Sequence, residues 1–283
     1  MTTDRLDRAL VARGLARSRT QAQALVRDRR VTVDGQVAAR TSTPVSDAQD
    51  VAVVPAGQDD ISAWITRGWV GRGAVKLDHA LRAWEQEGLC VQGRRCLDVG
   101  AATGGFTQVL LERGAGHVVA LDVGHGQLDP GLAADPRVTV LPGTNVRDAT
   151  EASIGGRVGA VVSDVSFISL RHVIPVLPDL CTEDAEVVLL VKPQFEVGRQ
   201  ALPGDGVVRS PSARAQALGE VVRSARENGF EVLGLERSPV TGERGNVEFL
   251  LWLRPCRPGM IGCGLAPAEL AKRCQDLSQE DER

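Results

Sequence analysis

A chain of 283 residues with 43% hydrophobic side chains can bury one medium domain and one small one, and with 3% aromatics and no tyrosine its core must be aliphatic. No apolar run approaches the roughly 20 residues that span a bilayer, and the opening MTTDRLDRALVARG is charged without a signal-peptide stretch, so no membrane association and a cytoplasmic location are expected. The net charge of −3 conceals a basic head: residues 1–40 hold nine arginines against four acids, +5, which leaves −8 for the remainder.

In chain order, Leu6, Ala9, Leu10 and Val11 recur at helical spacing in a helix over Arg5–Gly14. Ser18 is a candidate N-cap for a second helix over Arg19–Arg29, with Ala22, Leu25 and Val26 on its apolar side. Val31 and Val33 alternate, Asp34-Gly35 signals a hairpin turn, Val37 resumes, and residues 51–54 form a further strand. Two helices and a hairpin, with arginines on the second helix, resemble the small RNA-binding module of ribosomal small-subunit protein four. Arg5, Arg13, Arg17, Arg19, Arg27, Arg29 and Arg30 are the candidate contacts to RNA phosphates and a groove; a merely solvated basic face is the alternative.

Residues 55–73 read as a linker in which Trp64 and Trp69 either pack or stack on a base. The body, residues 74–254, opens with a helix from Gly73 to about Glu87, with Leu77, Ala80, Leu81 and Trp84 as its buried stripe. Strands are expected near 95–99, 117–121, 138–141, 158–164, 185–191, 231–237 and 247–253, mostly separated by helical stretches. That alternation predicts an α/β fold, a Rossmann-like parallel sheet whose last two strands form an antiparallel pair, behind a small α+β RNA-binding domain at residues 1–54. Residues 255–283 are a polar tail with a helix over Pro267–Asp276.

The most informative segment is CLDVGAATGGFTQVLLERGAGHVVALDVG, Cys96–Gly124: strand, glycine turn, helix, strand, acid. A dinucleotide turn reads G-x-G-x-x-G, whereas this one reads D-x-G-x-x-x-G-G with Ala102 in place of the second glycine. S-adenosylmethionine (SAM) carries no phosphate, and Asp98 suits its ammonium better than a pyrophosphate. Alone, the glycines would also fit a βαβ turn that binds nothing. With Asp122 placed for ribose hydroxyls, the unit favours SAM over NAD. Asp98, Gly100, Ala101, Gly104, Gly105, Phe106 and Asp122 are the candidate cofactor contacts, with Asn145 near the adenine.

Ligands gather outside the carboxyl ends of strands in such sheets. Three further motifs fall there: AVVSD with VSFISL, VVLLVK with PQFEVG, and NVEF. With Lys76 they supply Lys76, Asp164, Lys192 and Glu248. Singly these are a lysine on a helix, a helix cap, an exposed lysine before proline and a turn; together they form a charged set beside a cofactor turn. Lys76, Lys192 and Lys272 are the only lysines among 33 basic residues, and lysine, unlike arginine, can be deprotonated. The six cysteines form no C-x-x-C pair and no histidine cluster joins them, so reduced thiols and no metal are expected.

The set resembles the Lys–Asp–Lys–Glu tetrad of the FtsJ-like ribose methyltransferases. Over residues 4–254 the chain resembles the TlyA family of rRNA cytidine 2′-O-methyltransferases, some labelled haemolysins. The segments RLDRALVARGLARSR, VTVDG, RGAVKLDHAL, DVSFISL, LVKPQFEVG and GNVEFLLWL carry the resemblance together with the cofactor turn. Val75 in RGAVKL and the cysteine-containing tail depart from the pattern. The resemblance implies SAM-dependent methylation of cytidine ribose in ribosomal RNA of both subunits, whose loss alters sensitivity to capreomycin-type antibiotics. It implies Lys192 as base, Asp164 orienting it, and Glu248 holding Lys76 and the ribose. No obligate protein partner is evident.

Other chemistries fit less well. SDVSF is not the N/D-P-P-Y of amino methylation, and Pro255-Cys256 lies past the final strand, away from where a cysteine nucleophile would act. Arg5-Leu6-Asp7 echoes the pseudouridine synthase tripeptide but sits in the first helix, and a synthase needs no glycine turn. An RNA-binding protein with an inert body stays open. A cytolysin lacks any amphipathic pore segment in the sequence.

Overall fold

The computed structural model describes residues 3–16, 19–27, 29–54, 67–198, 201–242, 244–256 and 264–279. It divides into two compact units, Met1–Arg72 and Gly73–Arg283.

The first unit runs β1 (Thr3–Arg5), α1 (Leu6–Ala12), α2 (Arg19–Arg27), β2 (Val31–Val33), β3 (Gln36–Val37), β4 (Pro44–Ser46) and β5 (Val51–Val53). Leu6, Ala9 and Leu10 of α1 and Ala22, Leu25 and Val26 of α2 close one core with Val31, Val45 and Val51. Those positions recur every three or four residues, so burying one helical stripe suffices to dock both helices. Asp34 and Gly35 take φ of 50° and 77°, the paired positive values of a tight hairpin turn between β2 and β3. β2 also pairs with β5, while β1 and β4 make a separate antiparallel pair. Arg5 is therefore the end of a strand rather than the start of a helix. The second helix stops at Arg27, and Arg29 turns to φ 54°. Ser18, the expected cap, lies outside the described residues.

The second unit contains α3 (Gly73–Ala83), β6 (Arg95–Val99), α4 (Gly105–Glu112), β7 (His117–Leu121), α5 (Pro130–Ala133), β8 (Val138–Leu141) and β9 (Val158–Ser163). It continues with α6 (Leu177–Leu180), β10 (Cys181–Val191), α7 (Pro193–Glu196), α8 (Pro211–Glu227), β11 (Phe230–Arg237), β12 (Phe249–Pro255) and α9 (Pro267–Gln279). Its seven strands lie in the order β11-β12-β10-β9-β6-β7-β8. β10, β9, β6, β7 and β8 are parallel, and β12 is antiparallel to both β10 and β11. The central strands carry runs of buried residues, mostly Val, Leu and Ala in β7, β9 and the second half of β10, because both faces are covered, as parallel sheets require.

Several boundaries differ from expectation: α3 stops at Ala83 rather than near Glu87, α9 runs on to Gln279, and two strands start elsewhere. β10 begins at Cys181 rather than 185, because the polar Thr182–Asp184 stretch continues the strand before its buried run. The last strand begins at Phe249 rather than 247, which leaves Glu248 just before it. Trp84, following α3, stacks on Trp252 of β12 with centroids 5.7 Å apart, and that contact fastens the helix carrying Lys76 to the strand following Glu248. Gly234 on β11 allows the approach: a Cβ there would lie 2.5 Å from the Trp84 ring.

Candidate active site

Sheet register assembles the charged set. Val99 lies opposite Ser163, Ser163 opposite Leu189, and Val191 opposite Phe249. Asp164 and Lys192 follow the carboxyl ends of two adjacent parallel strands. Glu248 precedes an antiparallel strand and so reaches the same edge from the other direction. Lys76 comes from the first turns of α3. Lys192 Nζ lies 2.6 Å from Asp164 Oδ1, and Lys76 Nζ lies 2.6 Å from Glu248 Oε2 and 3.9 Å from Asp164 Oδ2. Asp164 therefore joins two ion pairs into one network. Lys76, Lys192 and Glu248 are 6%, 8% and 2% exposed. With Asp164, whose side chain is 21% exposed, the set holds two cations and two anions, the balance that burial of charge demands. Lys192 also donates to Ser166 Oγ at 2.9 Å, and the Gln194 amide donates to Glu248 Oε1 at 3.4 Å.

The glycine turn lies at the same edge, between β6 and α4. Gly100 and Gly104 have φ of 83° and 98°. A Cβ on Gly104 would push aside the tips of Leu132 and Leu128, at 2.5 and 2.7 Å, and the φ of 98° is one that side chains rarely adopt, so the position favours glycine. Ala102 takes φ 47°, the left-handed conformation a glycine would adopt freely. Asp122 secures the turn: its carboxylate accepts from Ala102 N at 2.8 Å and Gly124 N at 2.7 Å. Asp98 is fully buried; Thr107 donates to its Oδ2 at 2.7 Å, while Oδ1 has no hydrogen-bond partner. Burial pushes its carboxyl up to about 7; the Thr107 hydroxyl opposes that rise, and the Asp164 and Asp122 charges add to it. An orphaned buried carboxylate oxygen beside a glycine cradle suits a cationic amine, so these residues fit SAM. Ala101 and Phe106 are buried, Gly105 opens α4, and Asn145 accepts from Arg147 N at 3.0 Å at the head of a short 3₁₀ turn after β8. Among the described residues no group of three or more His, Cys, Asp or Glu side chains could hold a metal ion.

Sequence reading missed Phe167. It follows Asp164 by three residues, is 92% exposed, and takes φ 66°. A left-handed phenylalanine is strained by about 1–2 kcal/mol. Its ring lies 5.3 Å from that of Phe195, over which Lys192 Nζ sits at 5.9 Å. The one available signal was an aromatic side chain, in a chain nearly devoid of them, within a strand-end motif.

In the head, Arg19, Arg27 and Arg29 are exposed. Arg5 and Arg19 bracket the buried Asp7 at 3.1 and 3.0 Å, and the Arg5 hydrogen bond above all holds that carboxyl well below the usual range. Two of the expected RNA contacts make hydrogen bonds within the head. Arg30 is 5% exposed with its guanidinium on the Val54 carbonyl, and Arg13 donates to the Gln49 and Ser46 carbonyls at 2.8 and 2.9 Å. Both tie the head together. Arg17 and Trp64 lie outside the described residues, and Trp69 is buried with the Arg67 guanidinium over its ring. A groove of about 1280 Å³ between α8 and α9, lined by Ala215, Val222, Leu270 and Cys274 among others, includes none of the charged set.

A parallel sheet that opens on a glycine turn, passes to an acid after its second strand and ends in an antiparallel pair is that of a Rossmann-like methyltransferase. Residues 69–255 match the FtsJ-like methyltransferase family, and residues 4–51 match the S4 domain. The chain is 51% identical over 250 residues to the 16S/23S rRNA (cytidine-2′-O)-methyltransferase TlyA of Mycobacterium tuberculosis, covering 88% of this chain and 89% of that one. It is 32% identical to the 23S rRNA (cytidine-2′-O)-methyltransferase TlyA of Campylobacter jejuni, over 65% of this chain and 70% of that one. A solved haemolysin-labelled protein of Streptococcus thermophilus superposes with a TM-score of 0.73 at 32% identity, covering 98% of this chain and 96% of the other. The chain belongs to the FtsJ-like methyltransferases and, among them, to the TlyA family.

Proposed function

We propose that this methyltransferase moves a methyl group from SAM to the ribose 2′-oxygen of cytidines in ribosomal RNA, in both subunits, and that its loss alters sensitivity to capreomycin-type antibiotics. What carries the reading is the largely buried Lys76–Asp164–Lys192–Glu248 network at the carboxyl edge of the sheet, beside the glycine turn. A cytoplasmic site of action belongs to the same proposal; among the described residues no helix is long and apolar enough to cross a membrane.

Asp98, Ala101, Gly104 and Asp122 would hold the cofactor, whose sulfonium supplies an already activated methyl. The ribose hydroxyl, a poor nucleophile, then needs its proton removed and its oxygen aligned. Lys192 is the group placed to take that proton. Asp164, 2.6 Å away, orients the amine and stabilises the ammonium as the proton arrives. Glu248 holds Lys76, whose cation faces the oxyanion as it develops. The exposed Phe167 ring gives the acceptor nucleotide a face to stack on, a contact of the kind worth about 1–3 kcal/mol per base. In the head, Arg19, Arg27 and Arg29 offer charge to phosphates.

The test is methyl transfer from radiolabelled SAM to unmethylated small and large subunits, each alone. The expected product is rRNA resistant to alkaline cleavage after a cytidine, absent with Lys192→Ala. Label on neither subunit, with SAM binding intact, would overturn the substrate. Label on one alone would refute the dual range.

A further inference from the structure

The transfer step leaves one buried acid of the Lys192 motif without a task. Glu196 ends α7, the single turn that starts right after Lys192, and it is 4% exposed. Its carboxylate faces another strand-end segment. Oε1 accepts the Leu170 backbone N–H at 2.8 Å, and the Ser169 hydroxyl donates to Oε2 at 2.5 Å. Arg171 approaches Oε2 at 3.6 Å, donates to the Glu196 carbonyl at 3.1 Å, and reaches Glu220 at 3.4 Å. Burial raises the Glu196 carboxyl even against these donors, so the group is kept in place by its partners rather than by solvent.

A helix cap for the 3₁₀ turn Leu170–His172 would explain the Leu170 bond alone. It does not explain the position of the other fastening. Lys192 holds Ser166 at 2.9 Å, four residues before Glu196 holds Ser169 and Leu170. Between the two anchors lie only Phe167 and Ile168. Ile168 packs against the core, whereas Phe167 stands in solvent with a left-handed backbone. A strained aromatic residue persists where its surroundings over-determine it. Here those surroundings are the two ends of α7 with its preceding lysine.

We propose that Glu196 is a positioning residue: with Lys192 it clamps the Ser166–Leu170 segment and so holds the Phe167 ring outward for the acceptor nucleotide. The inference rests on the ribose-methylation reading only for what docks on the ring.

The test compares full-length Glu196→Ala, Glu196→Gln, Phe167→Ala and the Glu196→Ala/Phe167→Ala double. Amide hydrogen exchange without RNA comes first. Faster exchange over residues 166–170 in Glu196→Ala, with β9 unchanged, is expected. Unchanged exchange there overturns the clamp whatever the substrate is. With ribosomal subunits, Glu196→Ala should lower kcat/KM at least tenfold with SAM affinity within twofold, and glutamine, which keeps one acceptor for Leu170, should restore most of it. The double should be no worse than Phe167→Ala. Additive losses, or SAM affinity falling in parallel, overturn the proposal. Should the alanine variant fail to fold, Glu196→Gln and its double with Phe167→Ala carry the same comparison with a smaller loss. A wild type inactive on rRNA would sink the functional reading and leave the exchange result standing.

Discussion

The molecule uses cations in two opposite ways. At the sheet edge, Lys76 and Lys192 are 6% and 8% exposed and each has a carboxylate at 2.6 Å. In the head, Arg19 is 53% exposed on its side chain although it touches Asp7, and Arg27 and Arg29 are exposed too. One set is balanced, buried and indifferent to salt; the other carries unspent charge in water, where salt screens it. Charge held for chemistry is charge already paired in a fixed geometry. Charge held for RNA affinity is charge left over after the fold is built, which is why Arg13 and Arg30, spent on backbone carbonyls, fall on the structural side of the line.

The largest expected effect breaks the balanced set. Lys192→Ala should lower kcat about 10³-fold, the range for loss of a positioned general base. Lys192→Arg should not rescue it, because a guanidinium keeps its proton. SAM and RNA affinity should stay within a few-fold; calorimetry and filter binding check both. Activity retained by the arginine variant would exclude Lys192 as the base.

The open set should break differently. Arg27→Gln/Arg29→Asn keeps Arg19 on Asp7, and asparagine tolerates the left-handed φ of 54° at position 29. KM for subunits should rise about tenfold with kcat unchanged at saturation, and the slope of log affinity against log salt should shrink by about 2. A fall in kcat with an unchanged slope would mean that these arginines contact no phosphate.

That division was only half legible in the sequence. The strands of the body were readable because continuous Val and Leu runs bounded by Gly and Asp leave few alternatives. Asp164, Lys192 and Glu248 were readable because each stands at the edge of such a run, and Lys76, which lies on a helix instead, because lysine is rare in this chain and RGAVKL is motif-like. The antiparallel entry of β12 that brings Glu248 in was legible as a terminal hairpin. Burial of individual polar groups was not. Arg30 reads as an RNA contact, and nothing in the sequence singles out Glu196, because the partners of both are distant in sequence. The three-residue β1 and β4 carry no periodicity to read.

Asp98 sharpens the comparison because it is buried like the tetrad yet unpaired at Oδ1. Its carboxyl, at about 7, keeps a proton that the unfolded chain loses near pH 4. The folded state thus binds more protons between about pH 4 and 7, so this group makes stability fall as pH rises across that window and adds no further dependence above it. Asp98→Asn should flatten that part of the profile and stabilise the ligand-free protein at pH 8 by on the order of 2 kcal/mol, read from urea unfolding at several pH values. In the wild type, SAM affinity should rise about tenfold from pH 6 to 8, as the ionised fraction does. In the asparagine variant it should be weaker and flat. A pH-independent wild type would remove Asp98 from the ammonium site.

The smallest effect concerns a position where backbone strain, not charge, is stored. Ala102 sits at φ 47° with its N–H on Asp122 at 2.8 Å, so Asp122 holds the strained residue in place while the turn stays open. Ala102→Gly removes the left-handed penalty of about 1–2 kcal/mol but adds freedom to the unfolded chain, worth about 0.4–1 kcal/mol in the other direction. The net gain should lie between about 0 and 1.6 kcal/mol, a Tm rise of at most about 6 °C. Because the hydrogen bond comes from the backbone, the Asp122 contact survives the change and SAM affinity should stay within twofold. A loss of affinity larger than that would show that the Ala102 methyl, and not the shape of the turn, is what the cofactor meets.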